Sequence, residues 1–166
     1  RLLIEALSML AERHSIPVLI STHPRTRKNL ESLARSQPNP LLWFHEPFGF
    51  LDYNKLQLAS RCVLSDSGTI SEESSILGFP AVTLRDAIER PEAIDTGSII
   101  KVGIRPSDVL QGVGISVRQW QDGLRAPAPE EYAITNTSQR VVNFIISSTP
   151  NFKSGTNLAN ACGGRN

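Results

Sequence analysis

The sequence predicts an α/β fold, a Rossmann-like parallel sheet flanked by helices, on three observations. Helix-like and strand-like segments alternate along the chain, the strand-like segments are continuously apolar, and a small polar turn joins one of them directly to a helix. Alternation of this kind is what right-handed crossovers between parallel strands require, and unbroken apolarity marks strands covered on both faces.

Leu2, Leu3, Ala6, Leu7, Leu10 and Ala11 recur at helical spacing, and His14-Ser15 with Pro17 closes the pattern, so residues 1–14 read as an amphipathic helix. Val18-Leu19-Ile20 is a first strand, a helix over about 25–34 follows, and Leu41-Leu42-Trp43-Phe44 is a second strand after the Pro38-Asn39-Pro40 turn. Asp52 is placed to cap a helix through Ser60, and Cys62-Val63-Leu64 makes a third strand. Ser65-Asp66-Ser67-Gly68 is a tight polar turn into a helix over 69–77, whose face is Ile70, Ser74 and Leu77 and whose stop is Gly78-Phe79-Pro80.

Residues 81–84 form a fourth strand, 86–93 a short helix or turn, and 98–102 a fifth strand. A helix over 106–120 is expected to be interrupted by Gly112 and Gly114, and a last helix spans about 138–147. Residues 122–136, with Pro127 and Pro129, read as a linker or strap. Residues 150–166 are rich in Asn and Gly without periodicity and read as a disordered tail, which leaves 1–149 as one domain.

Composition narrows the function classes. A chain of 166 residues suffices for one ordinary core. Its formal charge of +1 supplies no broad field toward nucleic acid or lipid head groups, so neither is an expected partner and any anion must be held locally. Two cysteines, Cys62 and Cys162, make neither a disulfide framework nor a metal-ligand pattern, and a reducing cytoplasm fits them. No apolar run reaches the roughly 20 residues that span a bilayer, and no signal peptide opens the chain. Arg1 leads straight into a helical pattern with neither a cap nor a starting Met, so the chain is expected to begin partway through an element, as a fragment does.

The segment with most chemical content runs from Leu64 through Glu73, where small residues lie between a strand end and the first turn of a helix. Free backbone N–H groups and the positive end of the helix dipole meet there, at the strand edge where open α/β sheets bind ligands. Ser67, Gly68 and Thr69 leave a phosphate room to approach, and two of them add hydroxyl donors. Taken singly, each is more often a plain N-cap. Glu73, one turn on, is placed to accept both hydroxyls of a ribose, whereas Glu72 beside it can serve merely to complement the dipole.

The run SDSGTISEESSILGFPAVTLRDAIERPEA, residues 65–93, resembles the DSGG-x-x-EE and R-x-x-x-ERPE segments of the UDP-N-acetylglucosamine 2-epimerase family of the non-hydrolysing type. Two dense motifs in this order form a specific signal, and the resemblance extends over roughly residues 1–146. It implies the C-terminal half of a two-domain enzyme of GT-B type. It also implies UDP diphosphate binding at Ser67, Gly68 and Thr69 and ribose binding at Glu73. The chain departs from the pattern at Thr69, where the second glycine is absent, a feature that resembles the branch acting on UDP-N-acetyl-deoxyhexoses.

By the same resemblance Arg85 faces the ligand, whereas for Arg90 and Glu89 a ligand role and a structural Arg–Glu staple weigh evenly. The loop Glu46-Pro47-Phe48-Gly49-Phe50-Leu51 would lie against uracil, with Phe48 stacking on the base and Phe50 serving the core. His23, in Thr22-His23-Pro24-Arg25, corresponds to the family's P-x-H histidine, a substrate-pocket or regulatory contact, not the general base.

The implied activity is inversion at C2 of a UDP-N-acetylhexosamine, UDP-GlcNAc to UDP-ManNAc or a related sugar, by elimination and re-addition of UDP, serving polysaccharide precursor synthesis. The main acid and base groups would belong to a missing N-terminal domain, and no cofactor or metal is implied. The fragment alone would be inactive. Family members commonly form homodimers, largely through the other domain. Rival readings are a GT-B glycosyltransferase donor domain, a hydrolysing epimerase and a catalytically silent UDP-binding module. A scaffold domain would expose an apolar stripe, and the sequence shows none.

Overall fold

The computed structural model describes residues 1–35, 39–87 and 91–161. The chain divides into one compact unit, Arg1–Tyr132, and a second that begins at Ala133.

The first unit follows the expected alternation: α1 (Leu2–His14), β1 (Val18–Ser21), α2 (Pro24–Arg35), β2 (Leu42–His45), α3 (Phe50–Ala59), β3 (Val63–Ser65), α4 (Ile70–Leu77), β4 (Ala81–Thr83), α5 (Glu92–Asp95), β5 (Ile100–Lys101) and α6 (Pro106–Gln121). A single 3-10 turn, Glu130–Tyr132, lies in the segment read as a strap. All strand pairs are parallel, as predicted, but they form two hydrogen-bonded sets, β1–β2 and β3–β4–β5. Val18 pairs with Leu42 and Ser21 with His45 in the first; Ser65 pairs with Thr83, and Thr83 with Lys101, in the second.

The helix α1 joins the two sets through its core contacts. Its Ile4, Leu7 and Ala11 cluster with Ile20 of β1 and Leu42 of β2. Its Ala6 and Leu10 cluster with Val82 of β4 and with Val109, Val113 and Val117 of α6, while Leu64 of β3 packs against both groups. Each fully buried aliphatic side chain of this kind contributes about 1.5–3 kcal/mol relative to exposure. A third cluster, Ile70, Phe79, Ala81, Ala93 and Ile99, seats α4 and α5.

Four local readings need correction. The helix α3 starts at Phe50 with Gly49 as its N-cap, so Asp52 complements the dipole from inside the first turn instead of capping. The buried face of α4 is Ile70, Ser71, Ser74 and Ser75, with Leu77 exposed; Ser74 Oγ donates to the carbonyls of Phe79 and Ser98, which repays its burial. α6 runs unbroken through Gly112 and Gly114. At Gly112 a Cβ would lie 2.2 Å from Val102 Cγ1, so the glycine permits close approach of helix to sheet and does not break the helix. The short helix after β4 is α5, Glu92–Asp95, which reaches past the expected end at residue 93.

The second unit carries α7 (Thr137–Ala161), which continues past residue 147 where the sequence pattern ends it. Pro150 lies within it and has no N–H to give to the helix, so local propensity does not explain the extension. Val142, Phe144, Ile145 and Ile146 of α7 are exposed, an apolar run that periodicity did not reveal.

Candidate functional site

Each candidate site residue outside α4 lies just past the carboxyl end of a parallel strand. His23 is exposed two residues after β1, and its carbonyl accepts from the N–H of Arg27 in the first turn of α2. Phe48 follows β2, Ser67 through Thr69 follow β3, and Arg85, half-buried, follows β4. Parallel pairing is the physical cause, because it turns the loops that follow paired strands toward one edge.

The turn after β3 is held by its own hydroxyls. Ser67 N–H donates to Ser65 Oγ at 3.1 Å, Thr69 N–H reaches Ser67 Oγ at 3.4 Å, and Ser67 Oγ and Thr69 Oγ1 lie 2.9 Å apart. The two hydroxyls are therefore coupled and do not act as independent donors: one donates to the other, and one proton remains to be offered outward. The N–H groups of Gly68 and Ile70 meet no acceptor among the described residues. They stand where the α4 dipole favours an anion. Gly68 has no positive φ, so what it contributes is the absence of a side chain. Thr69 is the α4 N-cap, with φ −68° and ψ −15°, and its exposed side chain makes the Ser67 contact instead of capping the helix.

Glu73 leaves the first turn of α4 half-buried and meets a partner that sequence reasoning missed. Gln57 Nε2 donates to Glu73 Oε2 at 2.5 Å. Gln57 is only 2% exposed, and its Oε1 has no partner among the described residues. Tyr53, one turn earlier on the same face of α3, completes a small cluster. Burial, and then the negative charge of Glu73, push its phenol above the ordinary range; a hydrogen bond with Gln57 opposes this and the Asp66 charge adds to it. The Tyr53-x-x-x-Gln57 spacing was the available signal, but a polar pair at helical spacing is ordinarily a solvated face.

The β2 loop carries a ring pair. Phe48 and His45 stack with centroids 4.1 Å apart and planes at 8°, so only the opposite face of Phe48 remains for a base. His45 Nδ1 lies 2.7 Å from the Glu46 carbonyl, and Arg27 bridges the carboxylates of Glu31 at 2.6 Å and Glu46 at 3.0 Å, tying α2 to this loop. Phe50, expected in the core, is 77% exposed because the α3 N-terminus turns it outward. Arg85 N–H approaches Thr83 Oγ1 at 3.4 Å. Glu89 and Arg90 lie outside the described residues.

Away from this edge, burial pushes the Cys62 thiol up to about 12, against weaker hydrogen bonding with Ser116 and the Val63 backbone. That keeps this partly buried thiol, packed against the core, protonated and unreactive near neutral pH. Among the described residues no three His, Cys, Asp or Glu side chains gather in a way that could hold a metal ion, and no helix is long and apolar enough to cross a membrane.

Comparison with known proteins identifies the family of the chain. Residues 1–146 match the model of the UDP-N-acetylglucosamine 2-epimerase family. The UDP-N-acetylglucosamine 2-epimerase of Methanocaldococcus jannaschii is 32% identical over 126 residues, 72% of this chain and 34% of that protein. The Neisseria meningitidis enzyme is 31% identical over 134 residues, 80% of this chain and 35% of its own length. The structure of the Rickettsia bellii UDP-N-acetylglucosamine 2-epimerase superposes with a TM-score of 0.80 at 36% identity, covering 87% of this chain and 40% of that one. The M. jannaschii enzyme in complex with UDP-GlcNAc and UDP superposes at 0.74, with 27% identity and coverage of 88% and 40%. The chain thus spans about a third of the length of the curated relatives it matches.

Proposed function

The chain belongs to the UDP-N-acetylglucosamine 2-epimerase family, and from that premise we infer that it supplies the UDP site of an enzyme inverting C2 of a UDP-N-acetylhexosamine. The observation that carries this reading is the β3–α4 junction, where open N–H groups at Gly68 and Ile70 stand one helical turn from the carboxylate of Glu73. A diphosphate fits the first and the two hydroxyls of a ribose the second. Phe48 offers one ring face to uracil, and Arg85 brings a guanidinium to the same edge.

The chemistry suits this division of labour. Elimination moves the C2 proton to a base and breaks the C1–O bond, whose electron pair goes to the departing UDP; UDP then returns to C1 on the face it left while a proton is delivered to the opposite face of C2, so that C2 alone is inverted. A helix N-terminus and its free N–H groups stabilise the diphosphate as it gains charge, which lowers the barrier to leaving and keeps UDP in place to return. The base for C2 and the excluded solvent are assigned to an N-terminal domain with which the chain would be paired in the whole enzyme, itself a cytoplasmic homodimer. The sugar is UDP-GlcNAc or, given Thr69 in place of glycine, a related UDP-N-acetyl-deoxyhexose.

Calorimetric titration of the chain with UDP, against ADP and GDP, tests the reading. Selective binding of UDP, weakened on replacing Glu73 by Ala, is the expected outcome. Equal binding of all three nucleotides would remove the uracil assignment, and an unchanged affinity in Glu73→Ala would remove the ribose assignment.

A further inference from the structure

Gln57 is buried in a way that packing does not require. It is 2% exposed, while its neighbours Leu56 and Leu58 on α3 are 37% and 54% exposed. Removing a primary amide from water is costly unless both its donor and its acceptor are used, and a leucine would fill similar space without that cost. Only the donor side of the amide is used: Nε2 donates to Glu73 Oε2 at 2.5 Å, Tyr53 is a second hydrogen-bond partner, and Oε1 has no partner among the described residues. Its orientation is fixed by charge: turned over, the amide carbonyl would face the carboxylate. A neutral donor differs from Lys or Arg in that it aligns a carboxylate without cancelling its charge, so the full acceptor strength is kept for another partner.

We propose that Gln57 is a positioning residue for ribose recognition: by holding Oε2 of Glu73 it presents the other carboxylate oxygen in one orientation to the hydroxyls of a ligand ribose. The proposal rests on the assignment of Glu73 as ribose acceptor made above. An acceptor already aligned loses less side-chain freedom when ligand binds. Tyr53 belongs to the same arrangement. Its phenol stays neutral beside Glu73 and Asp66 because burial and those charges oppose ionisation, so it adds no competing charge to the carboxylate.

The test titrates the 166-residue chain with UDP and with 2′-deoxy-UDP, as wild type, Glu73→Ala, Gln57→Leu and Gln57→Glu, alongside thermal melting of each without ligand. Wild type is expected to prefer UDP. Gln57→Leu should weaken UDP about tenfold, the loss of one hydrogen bond's worth of alignment at a charged group, and bring the UDP preference toward unity without lowering the melting temperature. In Gln57→Glu two carboxyls touch and one must take a proton. Its UDP affinity relative to wild type at each pH should be low at pH 8 and recover toward pH 5, where the introduced carboxyl can donate as the amide does; normalising to wild type removes the pH effects that the two proteins and the ligand share.

Gln57→Leu with an unchanged UDP preference overturns the proposal while leaving the site reading intact. So does a parallel loss of both ligands with a lowered melting temperature. If Gln57→Leu does not fold, absence of low-pH recovery in Gln57→Glu overturns it instead. Wild type without a UDP preference, or Glu73→Ala that keeps one, overturns the ribose assignment itself and the proposal with it.

Discussion

Gln57 on α3 and Glu73 on α4, sixteen residues apart, share a hydrogen bond of 2.5 Å that joins the helix after β2 to the helix after β3. Charged-acceptor contacts of this kind are the stronger class of hydrogen bond. It places the carboxylate within one helical turn of the open N–H groups at Gly68 and Ile70.

Replacing Glu73 by Ala is expected to weaken UDP binding by about 1–3 kcal/mol, the range for hydrogen bonds to a charged acceptor. Isothermal calorimetry reads this directly, and an affinity equal to wild type would remove Glu73 from the site.

Thr69→Val keeps the shape of the side chain and deletes the hydroxyl paired with Ser67 Oγ at 2.9 Å. The freed Ser67 hydroxyl then turns without guidance, so UDP affinity should fall by about 0.5–1.5 kcal/mol, the net worth of one neutral hydrogen bond. Thr69→Gly tests the opposite concern: tighter binding than wild type would mean that the threonine narrows the phosphate approach.

Gly112→Ala drives a Cβ to 2.2 Å from Val102 Cγ1, and overpacking of this sort costs about 1–3 kcal/mol. Denaturant unfolding should show a lower midpoint. A midpoint equal to wild type would show that α6 can slide on β5 without strain.

Cys62 carries a pH signature. With its folded value raised from 9.0 to about 12 by burial, the unfolded chain gives up this proton first. Between those values the native state holds more protons than the unfolded one, and stability falls as pH rises, by up to about 1.4 kcal/mol per pH unit from this group. The contribution is complete below pH 9. Comparing wild type with Cys62→Ala in denaturant at pH 8 and pH 10 isolates it, since the gap between them should narrow at the higher pH. Alkylation at Cys62 at pH 8, scored apart from Cys162 by peptide mapping, should be far slower in the folded than in the unfolded chain, and equal rates would contradict its raised value.

The sequence alone determined the succession of elements, their parallel sense and the place of the small-residue turn after β3, because each rests on local physics. Apolar runs, helical periodicity and the small residues Ser67, Gly68 and Thr69 after a strand are properties of neighbouring residues. Local signals misled where a residue's meaning depends on what packs against it. Gly112 read as a helix interruption and is a contact with Val102; Phe50 read as core and stands exposed. The division of the strands into β1–β2 and β3–β4–β5 was equally invisible, since strand order is set by which crossovers pack together. Most of all, only the tertiary structure brought Tyr53 and Gln57 to Glu73. Buried polar partners far apart in the chain have no periodicity of their own, and their pairing is decided by how α3 and α4 settle on the sheet edge.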